Sequence, residues 1–260
     1  LVSEETPATP TNDAVPAKGA SIGEYYWGYG SGVVATKVPA WGEFVLAEFT
    51  QPFNHADVSY FFPLMADVQR RLGFRPRFGA FDAAFDAFYV YEYFHRTDDD
   101  VGFAAVPFSQ RGGHRKTFDK SGLPFCTAGL SMPLRYRFIC RTELVEHERG
   151  RYHCPLFYPE PTGKPCPVNH KNYAKEGCIT TLATSIGARI RYQLDRQSEI
   201  YKQVYKQRTA TERINSQALA LGIERPKIRN GHAIANLNTL IYTIINLRAL
   251  HRIRLKKSLR

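Results

Sequence analysis

The stretch RFGAFDAAFDAFYVYEYF, residues 77–94, decides the fold class. Its first part is a short apolar run that predicts a buried strand over 77–82, ending in the carboxylate of Asp82. Its second part predicts a helix over 85–94. The sequence GFAAVP then predicts another buried strand over 102–107. This succession of strand, helix and strand predicts an α/β layer with a partly parallel sheet.

On the N-terminal side of this stretch, the sequence predicts a hairpin followed by a helix. Residues 24–50 are aromatic and β-branched on both sides of a Pro-Ala-Trp-Gly turn at 39–42. That is the pattern of two antiparallel strands joined by a turn. Asp57 is placed to cap the N-terminus of a helix over 58–72, and Gly73 is placed to end it.

Two other segments differ from this core in composition. Residues 1–20 are rich in Pro, Thr, Ala and acidic residues without periodicity. They predict a disordered linker before a domain that covers 21–260. Residues 109–185 contain all five cysteines, many Gly and Pro residues, and β-like runs such as 134–140. We interpret them as a β-rich insertion in the α/β domain.

A long helix predicted over 186–221 carries the main candidate site. At 3.6 residues per turn, Arg208 and Glu212 lie one turn apart, and Tyr205 lies two turns from Glu212. One helix face would then present a phenol, a guanidinium and a carboxylate, a set that suits a metal ion beside a phosphate. The alternative is a surface ion pair of Arg208 and Glu212, worth about 0.2–0.5 kcal/mol.

A last helix is predicted after a basic turn region at 222–230. Its apolar residues recur at helical spacing, so we expect it to lay an apolar stripe on the sheet. The stripe consists of Ile234, Leu237, Leu240, Ile241, Ile244, Ile245 and Leu250.

The positive charge of the chain is concentrated in its C-terminal part. The net charge is +11 at pH 7, and residues 186–260 hold 16 Lys and Arg against 4 Asp and Glu. The rest of the chain holds 19 against 20. Such a field favours the phosphate backbone of a nucleic acid as partner. An anionic membrane surface or an acidic protein is the alternative.

No apolar run in the sequence reaches the length of a membrane span. The N-terminus also lacks the Lys/Arg-led apolar segment of a secretory signal. We therefore expect a cytoplasmic protein, associated with the nucleoid, that has no membrane partner.

Two of these motifs resemble the catalytic motifs of the DDE insertion-sequence transposases. Tyr205, Arg208 and Glu212 resemble the signature around that family's third acidic residue, and FDAAFD at 81–86 resembles the segment around its second catalytic Asp. The motifs occur in the family's order, and the resemblance covers roughly 23–250. It implies a ribonuclease H-like mixed sheet with flanking helices. It also implies that carboxylates hold two Mg²⁺ or Mn²⁺ ions for phosphodiester cleavage and strand transfer during DNA transposition.

The resemblance assigns roles to individual residues. Asp82 and Glu212 are the expected metal ligands, and Asp86 is either the rival of Asp82 or a cap for the helix that follows. Arg208 would orient Glu212 or contact a phosphate, and Tyr205 would support that face. The partners would be transposon ends and target DNA, on which the chain could form a homo-oligomer. The candidate DNA contacts are Lys202, Lys206, Arg213 and Asn215.

The family's first catalytic Asp lies on a strand before the hairpin, and no strand pattern precedes Glu24. The resemblance therefore implies an N-terminally truncated catalytic domain that would not be active alone. Two other functions stay open. One is a metal-dependent nuclease of the same fold, and the other is a non-catalytic DNA-binding remnant.

The cysteines allow a structural metal site in the insertion. Their odd number in a cytoplasmic chain argues against disulfides. Cys154, Cys166, His170 and Cys178 could supply a zinc site with three thiolates and one imidazole. The alternative is unligated, partly buried thiols, because the sequence contains no Cys-x-x-Cys pair.

Overall fold

The computed structural model describes residues 16–18, 25–95, 102–109 and 116–258. It shows a mixed α/β protein with several small sheets, so the α/β class is confirmed. The chain divides into two compact units. The first comprises Leu1–Pro76 and Lys206–Arg260, and the second comprises Arg77–Tyr205.

The first unit is built on the predicted hairpin. Strands β3 (Tyr29–Val38) and β4 (Gly42–Pro52) pair antiparallel over their whole length, with one bulge. A 3₁₀ turn (Asp57–Tyr60) then leads into helix α1 (Phe61–Leu72). The helix ends at Gly73, whose φ of 75° is left-handed. Glycine adopts this conformation without the penalty of a Cβ atom, and the predicted stop is confirmed.

Two expectations for this region are wrong. Pro16–Lys18 (β1) pairs antiparallel with Tyr25–Trp27 (β2), so the predicted linker contains a strand. The other residues of the first twenty lie outside the described part of the chain. Asp57 does not cap the helix, because the segment opens one residue earlier as a 3₁₀ turn. Ala56 occupies the capping position and makes no side-chain capping bond.

Helices α5 (Thr209–Ala220) and α6 (Gly231–Ser258) pack on the hairpin. They share one buried cluster with apolar side chains of β3 and β4, so the prediction that the last helix packs on strands is confirmed. The predicted stripe is only partly buried, since Leu240, Ile244 and Leu250 are exposed. The buried members of the cluster are Ile214, Ala218, Ile241, Tyr242 and Ile245.

Polar side chains two turns apart on α6 also bind the hairpin. The Asn246 amide accepts a hydrogen bond from the Val45 N–H at 2.8 Å and donates one to the Val45 carbonyl at 2.9 Å. Asn238 donates to the Thr50 hydroxyl at 2.9 Å. Because these partners are directional, they fix the register of the helix on the strand.

The second unit contains the predicted strand–helix–strand segment. Strands β5 (Phe78–Ala80) and β6 (Phe103–Ala105) pair in parallel, and helix α2 (Phe88–Phe94) connects them. The expectation of a parallel pair is confirmed, although each element is shorter than predicted. A 3₁₀ turn (Ala83–Phe85) separates β5 from α2, and β6 is buried along its whole length.

The segment interpreted as an insertion forms a sheet of its own. Strands β7 (Leu134–Arg141), β8 (Glu146–His153) and β9 (Ile179–Ala183) pair antiparallel in the order β7-β8-β9. The predicted β-like run at 134–140 is therefore confirmed.

The single long helix predicted over 186–221 is wrong. The segment forms α3 (Ile186–Gln193), α4 (Glu199–Lys206) and α5. At the break between α4 and α5, the Ala210 N–H donates to the Gln207 carbonyl and the Thr211 N–H donates to the Arg208 carbonyl. These bonds span three residues rather than four, which is the pattern of a tight turn.

Side-chain hydrogen bonds explain the break between α3 and α4. Arg196 donates to the carbonyls of Leu194 at 3.3 Å and Arg191 at 3.0 Å, which satisfies acceptors left open at the end of α3. The hydroxyl of Ser198 then accepts from the Tyr201 N–H at 3.4 Å, as an N-cap does. These local bonds compete with a continuous helix.

Candidate functional site

Asp82 is an exposed carboxylate that follows the end of β5. Its Oδ1 accepts a hydrogen bond from the Ala84 N–H at 2.9 Å, so the side chain caps the 3₁₀ turn. The strand ends at Ala80, two residues before the predicted end, although the Phe81 N–H still donates to the Ala105 carbonyl. Asp82 therefore lies just beyond the carboxyl end of a parallel strand, where α/β proteins commonly bind ligands.

Asp86 is a buried structural carboxylate, with only 1% of its side chain exposed. Its Oδ1 accepts from the Tyr91 hydroxyl at 2.7 Å and Arg191 Nε at 2.8 Å. Its Oδ2 accepts from the Ser109 N–H at 2.7 Å and Arg191 Nη2 at 2.6 Å. The alternative that Asp86 caps the helix is wrong, because Ala87 occupies that position. These four donors also disfavour Asp86 as the rival metal ligand.

A second arginine extends the network around Asp86. Arg196 Nη2 donates to the Tyr91 hydroxyl at 2.9 Å, and its Nε donates to the Val106 carbonyl at 2.9 Å. Burial, together with the neighbouring Asp86, raises the pKa of Tyr91 well above its usual value. The phenol therefore stays protonated and can donate to Asp86. Sequence reasoning missed this network, because its members are scattered along the chain.

Glu212 lies in the first turn of α5, and 54% of its side chain is exposed. Its Oε1 is 2.7 Å from Arg208 Nη2, so the predicted ion pair one turn apart is confirmed. An exposed pair of this kind contributes only about 0.3–0.5 kcal/mol. Glu212 therefore contributes little to the stability of the fold. Its carboxylate is accessible to a cation.

Tyr205 does not share a continuous helix with Glu212. It lies on α4, and its ring stacks on Tyr201 with centroids 5.9 Å apart. Tyr201 in turn stacks on Phe103, at 6.4 Å. The prediction of one helix face with all three groups is wrong, since the chain turns at Gln207–Arg208. Tyr205 packs on the aromatic cluster of the second unit.

The expected metal ligands belong to different units, Asp82 to the second and Glu212 to the first. A joint role for the two carboxylates stays a prediction. Among the described residues, no group of three or more His, Cys, Asp or Glu side chains is arranged to hold a metal ion. Binding of Mg²⁺ or Mn²⁺ likewise stays a prediction.

The candidate DNA contacts lie on the surface. Lys202, Lys206 and Asn215 are exposed. Arg213 is exposed too, but its guanidinium is 2.7 Å from Oε1 of Glu43 on β4. A phosphate that binds Arg213 would compete with this carboxylate, and one that binds Lys202 would compete with Glu199, whose Oε1 is 2.8 Å from Lys202 Nζ. Lys206 is therefore the stronger candidate.

The cysteine cluster differs from the predicted zinc set. The register of β8 and β9 pairs His153 with Ile179, so Cys154 and Cys178 follow as neighbours. The Cys178 thiol interacts with the thiols of both Cys154 and Cys126. Burial and these two thiols raise the pKa of Cys178 to about 12. Cys126 was absent from the predicted set, and it lies 28 residues before Cys154, too far for a spacing motif.

His170, another member of the predicted zinc set, already uses one ring nitrogen for a hydrogen bond within its own loop. Its Nδ1 accepts a hydrogen bond from the Asn172 N–H at 3.2 Å. The cysteines are free thiols, and Cys166 and His170 are partly buried. Zinc binding by Cys154, Cys166, His170 and Cys178 stays a prediction.

Comparison of the chain with protein-family models, curated proteins and solved structures finds no match. Within the described ranges, no helix is long and apolar enough to cross a lipid bilayer. The functional argument therefore rests on the residues and their surroundings.

Proposed function

We propose that the chain is the catalytic domain of a DDE-type transposase with a ribonuclease H-like fold, which cleaves DNA phosphodiester bonds and transfers strands. The observation that carries this proposal is the exposed carboxylate of Asp82, just beyond a parallel strand. Its neighbour Asp86 is saturated by hydrogen bonds, so Asp82 is the accessible carboxylate of the 81–86 motif.

The order of elements supports the same proposal. In the first unit, the hairpin of β3 and β4 is followed by helix α1. In the second unit, β5 and β6 are parallel strands connected through α2. The resemblance to the DDE transposases implies this order around the carboxylates.

Asp82 and Glu212 each suit a hard divalent cation, because each offers exposed carboxylate oxygens. A bound Mg²⁺ or Mn²⁺ would neutralise phosphate charge and activate a water molecule or a 3′-hydroxyl. Arg208 would restrict the rotamers of the Glu212 side chain, or contact a phosphate itself.

The exposed lysines support binding to the DNA backbone. We expect the affinity for duplex DNA to fall steeply with salt, with a log–log slope of about −0.9 for each phosphate that the protein neutralises. Replacing Lys202 and Lys206 with Ala should flatten this slope. Most of the change should come from Lys206, because Glu199 already pairs with Lys202, and adding Arg213→Ala should change the slope little, because Glu43 pairs with Arg213. Lys175→Ala, at another exposed lysine, is the matched control. An unchanged slope in the double variant would place the DNA elsewhere.

The catalytic proposal is tested with the full-length protein, labelled duplex DNA and a 3′-hydroxyl donor in Mg²⁺ or Mn²⁺, because the resemblance implies that this domain is not active alone. We expect metal-dependent nicking and joining that Asp82→Asn and Glu212→Gln abolish, while Glu224→Gln, at another exposed carboxylate, retains them. Mn²⁺ binding, followed by electron paramagnetic resonance, should weaken in the same two variants.

The competing functions give different results. Metal-dependent nicking without joining would replace transposition with a nuclease function. DNA binding with neither Mn²⁺ binding nor nicking would refute an enzymatic role. Unaltered nicking by Asp82→Asn and Glu212→Gln would refute the assigned site.

A further inference from the structure

An open cavity of about 290 Å³ lies in the first unit, between the hairpin turn and the C-terminal part of α6. The hairpin contributes Lys37, Trp41 and Glu43 to its wall, and α6 contributes Arg252 and Lys256. Ligand pockets begin at roughly 300 Å³, so the cavity suits one ring-sized group. It combines a large aromatic ring with three cationic side chains.

The hairpin turn presents Trp41 to solvent. The Trp41 N–H donates to the Val38 carbonyl at 3.1 Å, and 52% of the residue is exposed. Ala40, inside this turn, has a φ of 66°. A tight turn that joins two antiparallel strands often needs a positive φ at a central residue, and Ala40 supplies it here. Trp41 follows at the end of the turn, where the hairpin leaves its ring half exposed.

The charges around the indole favour an anion. Lys257 Nζ lies 5.8 Å from the centroid of the Trp41 ring, which adds a fourth cation beside the cavity. The acidic residue of the wall, Glu43, is neutralised by Arg213 at 2.7 Å, and only 17% of its side chain is exposed. The cavity consequently keeps a positive potential.

We propose that this cavity binds an unpaired nucleobase of single-stranded DNA, with the base stacked on Trp41. The flanking phosphates contact Lys37, Arg252 and Lys256. Stacking on an indole accepts any base, because every base has a π face, and the cations follow the strand. An acidic peptide would satisfy the cations without using the ring. The inference rests on the proposed function in that DNA is the partner, but it concerns strand binding and not cleavage.

The fluorescence of Trp41 tests this proposal directly. The chain has two tryptophans, Trp27 and Trp41, so Trp27→Phe leaves one reporter. A short oligothymidylate is titrated without divalent cations. Parallel titrations use an abasic strand of equal length and vesicles of anionic phospholipid. We expect quenching by the oligothymidylate, and binding without quenching by the abasic strand.

Anisotropy of a labelled oligothymidylate measures the affinity of variants. Trp41→Leu should weaken binding about 5- to 150-fold, the range that loss of one stacked base gives. Phe74→Leu, at another exposed aromatic residue of this unit, should not. Replacing Arg252 and Lys256 with Ala should lower the salt slope by about 0.7 for each phosphate that the variant no longer binds. Lys227→Ala, at an exposed lysine, is the control for charge.

Three results would overturn the proposal: equal quenching by the abasic strand, unchanged affinity in Trp41→Leu, and quenching by vesicles alone. Asp82→Asn and Glu212→Gln should keep the quenching, because no metal is present. If the chain binds single strands in this way but does not cleave DNA, only the proposed function is refuted. If the chain cleaves DNA but does not bind single strands in this way, only the nucleobase site is refuted.

Discussion

Replacing Asp86 with Ala should destabilise the second unit much more than replacing Asp82. Asp86 accepts four hydrogen bonds at 2.6–2.8 Å, two of them from Arg191. Only 12% of the Arg191 side chain is exposed, so the substitution leaves a nearly buried guanidinium without its counter-ion. Breaking a buried pair in this way costs about 3–5 kcal/mol.

The matched substitution, Asp82→Ala, removes one exposed capping bond of 2.9 Å to the Ala84 N–H. Loss of a cap costs about 0.5–2 kcal/mol. At roughly 4 °C per kcal/mol, the melting temperature should fall by about 12–20 °C for Asp86→Ala and by about 2–8 °C for Asp82→Ala.

Thermal unfolding followed by circular dichroism measures the melting temperatures, and hydrogen exchange in α2 and α3 localises the loss. The double variant Asp86→Ala with Arg191→Met should recover part of the stability, because no unpaired charge stays buried. Equal losses for the two Asp variants would refute the assignment of Asp86 as the structural carboxylate. A double variant as unstable as the summed single variants would refute the coupling with Arg191.

Three further substitutions test packing, a hydrogen bond and a titration. Gly187→Ala should cost about 1–3 kcal/mol in urea unfolding, because a Cβ there would lie 2.1 Å from the Phe88 carbonyl oxygen. Asn246→Ala should cost about 1–3 kcal/mol and speed exchange of the Val45 amide, which loses its acceptor. Burial lowers the pKa of His153, so the unfolded state binds its proton more readily and stability should fall as pH drops below about 6.5. Urea unfolding across pH 5–7.5 should show a flatter profile for His153→Phe, and an unchanged profile would contradict this.

The elements that the sequence predicted correctly depend on local patterns. The hairpin follows from two β-branched runs around a turn, and the end of α1 follows from the conformational freedom of Gly73. The parallel pairing of β5 and β6 follows from their short apolar runs on either side of a helix. Each of these signals lies within a few residues of the element that it specifies.

The break after α3 could not be predicted in this way. The segment lacks Pro, and helix periodicity continues across it. The turn is made by side chains, since Arg196 caps α3 and Ser198 caps α4. Arg196 is held there by the Val106 carbonyl, which is 90 residues away. A tertiary contact therefore overrides the local preference for helix.

The residues of the candidate site stay a prediction, but the structure shows what surrounds each of them. The resemblance of the 81–86 segment offered both Asp82 and Asp86 as ligands. They are distinguished by the donors around Asp86, among them Arg191, 105 residues away in the chain. The pairing of Arg208 with Glu212 was predictable because it needs a single helical turn. Cys126 and the surroundings of Trp41 carry no spacing signal, because their neighbours come from distant segments.

One oxygen of Asp86 holds together two points of the chain that are far apart in sequence. Oδ2 accepts from the Ser109 N–H and from Arg191, so a single atom joins both ends of the intervening segment. Loop-closure entropy changes by only about 0.6 kcal/mol for each doubling of loop length. The two hydrogen bonds to Oδ2 therefore place little constraint on the length of the segment between Ser109 and Arg191. The β7–β9 sheet could be exchanged for a short linker or for a foreign domain, while the carboxylate still fastens the two ends.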